Sequence, residues 1–158
     1  MRRLGARGQS GEAVSGAAFS AATLSMGAAS GAPLRLDEPL SFWGGLDPAT
    51  GRIIDRWHPQ LDANVAGRVL MMPAGRGSSS GSAALAEAIR IGVGPAAILL
   101  LERDPIVVVG AMAAAELYAI ACPVVLARCE DWTELAAAQR LGISAEPQGA
   151  RIVVMQGR

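Results

Sequence analysis

The residues best suited to chemistry form one stretch, Pro73-Ala74-Gly75-Arg76-Gly77-Ser78-Ser79-Ser80-Gly81-Ser82. It follows an apolar run, Val69-Leu70-Met71-Met72, and precedes a segment with helical spacing. In that segment Leu85, Ala88 and Ile89 share one face, while Glu87 and Arg90 stand on another. Glycines let a backbone approach a ligand closely. A helix that begins after the serines directs unpaired N–H groups and a partial positive charge into the loop. Carboxylates and phosphates suit such a place, and Arg76 adds a cation with fork geometry. The bland reading is a flexible connector with one serine as an N-cap. Position opposes it, because a linker rarely separates a buried strand from its packing helix by so few residues. A Walker phosphate loop closes on Gly-Lys-Ser/Thr, and the chain contains no Lys. A Rossmann turn needs a third glycine where Ser80 stands.

The other reactive types are sparse. Without lysine there is no Schiff-base former or lysine base. Cys122, Cys129 and the single histidine, His58, have no metal-ligand spacing, so no metal is expected on this chain. Cys122, before Pro123, reads as a buried small residue and Cys129 as a surface one. No disulfide framework is visible, which makes a reducing cytoplasm the expected compartment. His58, followed by Pro59, reads as a loop-fixing residue. Trp43 and Trp57 read as core or interface anchors. Asp47 and Asp62 sit in turn sequences, where Asp bonds its own backbone. Glu102, Arg103 and Asp104 read as a solvated charged turn between strands. Glu116 reads either as a surface charge or as facing a partner. The 14 basic and 14 acidic residues balance, and no basic stripe suggests nucleic acid. No apolar run reaches the ~18 residues that cross a bilayer. Arg2-Arg3 lacks the compact apolar stretch of an export signal.

These residues need elements to position them. The chain has 158 residues, 51% hydrophobic and 4% aromatic, so small aliphatic side chains must build one core. Residues 1–17 carry almost no large apolar side chain and read as a flexible tail, with a single compact domain over 18–158. Phe19, Leu24 and Met26 suggest a first strand. Leu34, Leu36 and Leu40 alternate as in an interrupted edge strand that Ser41-Phe42-Trp43 continues. After a turn-rich stretch, residues 52–57 read as the returning strand. Residues 69–73, 96–101, 106–109, 123–126 and 152–155 read as further strands. Helices are predicted over 82–91, 111–120 and 132–141. Apolar strands alternating with helices imply α/β architecture: a β layer, a central sheet and a helical layer.

Gly75-Arg76-Gly77-Ser78-Ser79, followed by Ala83-Ala84-Leu85, is similar to the serine loop of the aconitase swivel domain. Ser41-Phe42-Trp43-Gly44-Gly45-Leu46-Asp47-Pro48, Gly51-Arg52-Ile53-Ile54-Asp55 and His58-Pro59 add specificity. Together with Gly75 to Ser80 they resemble the small subunit of the aconitase X group, from about Leu34 to Leu126. The resemblance implies a swivelling β/β/α domain that closes, as one half of a heterodimer, over a large subunit holding an iron–sulfur cluster. It implies a dehydratase, acting on cis-3-hydroxy-L-proline in bacteria or mevalonate 5-phosphate in archaea. The alanine-rich, all-Arg composition favours the bacterial substrate. Ser78 would be the proton acceptor, and Arg76, Gly77, Ser79 and Ser80 would contact substrate. In aconitase proper an arginine follows the serine pair; here Ser80 replaces it, and Arg76 would make the carboxylate contact from the other side of the loop. Two competing expectations remain: an anion-binding or regulatory swivel module without catalysis, and a purely structural partner subunit.

Overall fold

The computed structural model describes residues 16–156. The expected tail therefore lies outside the described residues up to residue 15. Its last residue, Ala17, already accepts a hydrogen bond from Val154 N at 2.9 Å.

The chain opens with β1 (Ala18–Ser25), β2 (Gly27–Gly31) and β3 (Pro33–Arg35). After a long excursion containing a one-turn α1 (Phe42–Gly45), it enters β4 (Val69–Met72). Then come α2 (Ser80–Arg90), β5 (Ala97–Leu100), α3 (Pro105–Tyr118) and β6 (Val124–Leu126). A short α4 (Trp132–Ala137) and the hairpin β7 (Arg140–Glu146) and β8 (Gly149–Met155) complete it. The strand order is β2-β7-β8-β1-β6-β5-β4-β3. Strands β3 to β6 are mutually parallel, and the remaining pairings are antiparallel.

β1 belongs to both regions. Its first half, Ala18 to Ala21, pairs with β8, and Ala22 to Ser25 pairs with β6. The register shifts between Thr23 and Ser25, as at a β-bulge, where strands bend. Alternating residues of the parallel strands then feed two cores. Leu70, Met72, Ile98, Leu100 and Val124 meet Leu85, Ala88 and Ile89 of α2 and Val107, Ala111 and Ala114 of α3. Val69, Met71, Ala97, Leu99 and Val125 meet Leu141, Ile143 and Ile152 of the antiparallel layer, with Trp132 and Leu135. A strand buried on both faces needs no polar alternation, which is why β4 and β5 read as continuous apolar runs. The layers are therefore β/β/α, as expected.

Several expected elements differ. Residues 106–109 are not a strand but the first turn of α3. Asp104 is its N-cap, accepting from Ile106 N and Val107 N, and Pro105 opens it. A capped start with proline at the first position outweighs the strand preference of three consecutive valines. The helix expected over 132–141 stops at Ala137. The next residues form β7, whose burial alternates because Leu141, Ile143 and Ala145 face the second core. The edge strand expected through Leu40 and Trp43 is only β3, and the return at 52–57 is not a strand. The excursion is held by isolated bridges, Leu40 to Gly75, Leu46 to Ile53 and Arg52 to Asn64. Leu36, Leu40, Phe42, Leu46, Ile53 and Val65 anchor it in the first core.

Candidate functional site

The serine loop leaves the C-terminal end of β4 and runs into α2, at the strand end where open α/β sheets bind ligands. The chain after β5 lies beside it. Leu101 N and Glu102 N both donate to Pro73 O at 3.0 Å. Gly75 N donates to Asp104 Oδ2 at 2.8 Å. A Cβ on Gly75 would lie 2.6 Å from that oxygen, so any side chain there would displace the Asp104 carboxylate. On the other side, Arg76 N donates to Leu40 O at 3.1 Å. Gly77 takes a φ of +110°, and a Cβ there would lie 2.7 Å from Ser41 Oγ.

The loop is thus gripped from both sides, while Arg76, Gly77, Ser78, Ser79 and Ser80 are exposed. Ser79 precedes α2 without a side-chain cap bond. Gly81 N and Ser82 N bond back to Ser78 O and Ser79 O. Ser82 Oγ donates to Ile106 O at 2.8 Å, which ties the first turn of α2 to α3. The arrangement is a ridge of hydroxyls at a helix N-terminus, open to solvent, beside one guanidinium.

That guanidinium has a partner which the sequence reading missed. Arg76 Nη2 donates to Asp55 Oδ2 at 2.6 Å. Asp55 is 17% exposed and Arg76 52%. The other oxygen, Oδ1, accepts from Trp57 N at 3.0 Å. One carboxylate therefore holds the arginine and shapes the next turn.

A family model of the aconitase X swivel domain matches residues 18–153. The chain belongs to that family. A cis-3-hydroxy-L-proline dehydratase from Pseudomonas aeruginosa is 48% identical over 102 residues, 65% of this chain and 18% of that protein. A second dehydratase of that name, from Hypocrea jecorina, is matched over 20% of its length, so the chain spans about a fifth of these relatives. A phosphomevalonate dehydratase small subunit from Methanothermobacter thermautotrophicus is 43% identical over 91 residues, 58% of this chain and 70% of that one. The crystal structure of holo Thermococcus kodakaraensis aconitase X superposes with a TM-score of 0.71 at 25% identity, covering 89% of this chain and 100% of that chain.

The remaining candidate residues of this swivel domain have the following surroundings. His58 is buried; its Nε2 lies 3.1 Å from Glu38 O, and its Nδ1 accepts from Gln60 N at 3.1 Å. The two bonds tie the ring to the backbone at residues 38 and 60, which fixes the loop as expected. Asp47 caps its own turn by accepting from Ala49 N, and this bond above all lowers its pKa below the usual carboxylate value. Trp43 and Trp57 are not core residues: they are 66% and 90% exposed. Glu116 is exposed on α3. Glu102 and Arg103 are exposed, but Asp104 is half-buried; it grips the serine loop and caps α3.

Cys122 is buried, and burial pushes its thiol up to about 12; Cys129 is exposed. Among the described residues no group of three or more His, Cys, Asp or Glu can hold a metal ion. An iron–sulfur cluster takes three or four protein ligands as a rule, and these residues do not fit one. No helix among the described residues is long and apolar enough to cross a membrane.

Proposed function

We propose that this chain is the small, swivelling component of an aconitase X-type dehydratase, a hydro-lyase, and that Ser78 is its proton acceptor. The observation that carries the reading is the loop itself. It is held at Gly75, Arg76 and Ser82, yet it presents Ser78, Ser79 and Ser80 outward at the start of an 11-residue helix. Rigid support with exposed hydroxyls suits a group that must meet a substrate held on another surface. Membership of the swivel family and the dehydratase names of its relatives support the same reading.

Serine is a weak acid, so a serine base needs its developing anion stabilised. The N-terminal dipole of α2 and the nearby Arg76 charge act in that direction. Arg76 retains donors beyond the one engaged by Asp55, enough to bind a substrate carboxylate. Gly77, Ser79 and Ser80 would complete the substrate contacts through backbone N–H and hydroxyl groups. Any iron–sulfur cluster belongs to the large partner subunit, because the described residues offer no fitting ligand set. The assembly would work in the cytoplasm, where two unpaired thiols persist.

The substrate we favour is cis-3-hydroxy-L-proline, supported by the 48% identity to the Pseudomonas enzyme. Mevalonate 5-phosphate is the second reading, supported by the 70% coverage of an archaeal small subunit. The test is a dehydration assay on cis-3-hydroxy-L-proline with the chain alone, with its large partner, and with the partner and Ser78→Ala. Turnover only in the wild-type complex is expected. Turnover retained by Ser78→Ala removes the serine from its role. An assembled wild-type complex inactive on this substrate but active on mevalonate 5-phosphate reassigns the substrate.

A further inference from the structure

We infer that Asp104 is the positioning residue of the serine loop, and that its two carboxylate oxygens do separable work. The inference rests on the assignment of Ser78 as the base. Oδ1 accepts from Ile106 N at 2.9 Å and Val107 N at 3.2 Å and so caps α3. Oδ2 accepts from Gly75 N at 2.8 Å and so holds the entry to the serine loop. Hydrogen bonds to an ionised acceptor are stronger than neutral ones.

The exit of the loop is tied to the same place. Ser82 Oγ bonds to Ile106 O, two residues beyond Asp104. Ser78 to Ser80 therefore lie between two anchors that both end on the N-terminus of α3. That helix packs through Val107, Ala111 and Ala114 into the first core, so the reference surface for the loop is a rigid one. Asp104 also fills the space that any larger residue at position 75 would occupy. A catalytic group must be held to within about 0.5 Å of its working position. Displacement of about 1 Å costs on the order of a hundredfold in rate.

Asp104→Asn separates the two tasks. Asparagine is as good an N-cap as aspartate, so its single carbonyl oxygen serves α3. Its NH2 group then faces Gly75 N–H, donor against donor, and the loop anchor is lost. In the assembled enzyme, kcat should fall roughly ten- to hundredfold while KM moves less than about threefold. The melting temperature should fall by only a few degrees, as for one lost hydrogen bond, and by clearly less than in Asp104→Ala. Asp104→Ala removes both tasks and should lower kcat and melting temperature together.

A second readout is independent of turnover. In the full chain, exchange of the Gly75 amide proton should quicken at least about tenfold in Asp104→Asn. The amides of Val107 and Ala111 should keep their wild-type rates. Unchanged Gly75 exchange in Asp104→Asn, or a wild-type kcat, overturns the positioning role even if Ser78 is the base. Faster Gly75 exchange with a fully active Ser78→Ala enzyme overturns the serine assignment on which the rate prediction stands, while leaving the anchor itself established.

Discussion

Gly77→Ala tests whether the conformation of the serine loop matters to stability or to catalysis. Gly77 has a φ of +110°, and an added Cβ would sit 2.7 Å from Ser41 Oγ and 3.4 Å from Ser41 Cβ. A non-glycine residue in such a backbone region costs about 1–3 kcal/mol. Ser41 can rotate away, but this breaks its bond to Trp43 O, at 2.8 Å, and costs about 0.5–1.5 kcal/mol more. If the loop keeps its shape, the sum of about 1.5–4.5 kcal/mol appears as lost stability. For a chain of this size it lowers the melting temperature by about 2–4 °C per kcal/mol. If the loop relaxes instead, the strain leaves as a displacement of Ser78, the next residue. Melting then changes little and kcat falls. Calorimetry on the chain and kinetics on the assembled enzyme measure both channels. Ser41→Ala combined with Gly77→Ala removes the clash but not the backbone strain, so it should recover only part of the loss. A Gly77→Ala enzyme with wild-type melting and wild-type kcat refutes the argument.

Three further outcomes follow from the geometry. Arg76→Ala should raise KM for an anionic substrate roughly ten- to hundredfold, the worth of a charged hydrogen bond; unchanged KM and kcat would remove Arg76 from the site. Asp55→Asn keeps the guanidinium but loosens its aim, and the pair is partly exposed, so KM should rise only about two- to fivefold. Native protein at mildly alkaline pH should take up one maleimide, at Cys129. Cys122 is 1% exposed, and burial pushes its thiol up to about 12, so it should react only after unfolding. Uptake of two labels by the native chain would contradict the packing around Cys122.

Much of the helical half was legible because its signals are local. β4, α2, β5 and β6 lie within about two residues of their expected limits, since a doubly buried strand is a plain apolar run. The start of α3 was legible too, in Asp104-Pro105, but a run of three valines masked it. β7 carries a clear alternation of Leu141, Ile143 and Ala145 that was absorbed into the preceding helix. β2 had no such signal. Its residues Gly27-Ala28-Ala29-Ser30-Gly31 have weak strand preference, and they become a strand by pairing with β7 more than a hundred residues later. The excursion between β3 and β4 imitates strand alternation because its apolar residues anchor an irregular path rather than a sheet.

The site divides along the same line. Arg76 and the three serines are contiguous, so that they stand together and exposed could be read from the sequence. Asp55 and Asp104 stand 21 and 29 residues away from the groups they hold, and each looks like an ordinary turn or surface acid in its own neighbourhood. Only the folded chain reveals that one aims the arginine and the other anchors the loop. The same geometry explains why a serine base on this surface needs a covering surface. Ser78 is exposed, and two unit charges 4 Å apart interact by only about 1 kcal/mol in water, against about 4 kcal/mol near a protein surface that excludes much of it. Arg76 is moreover shared with Asp55. On the proposed reading, support for an alkoxide would be built into the chain as orientation, and it would become energy only when another surface displaced the water.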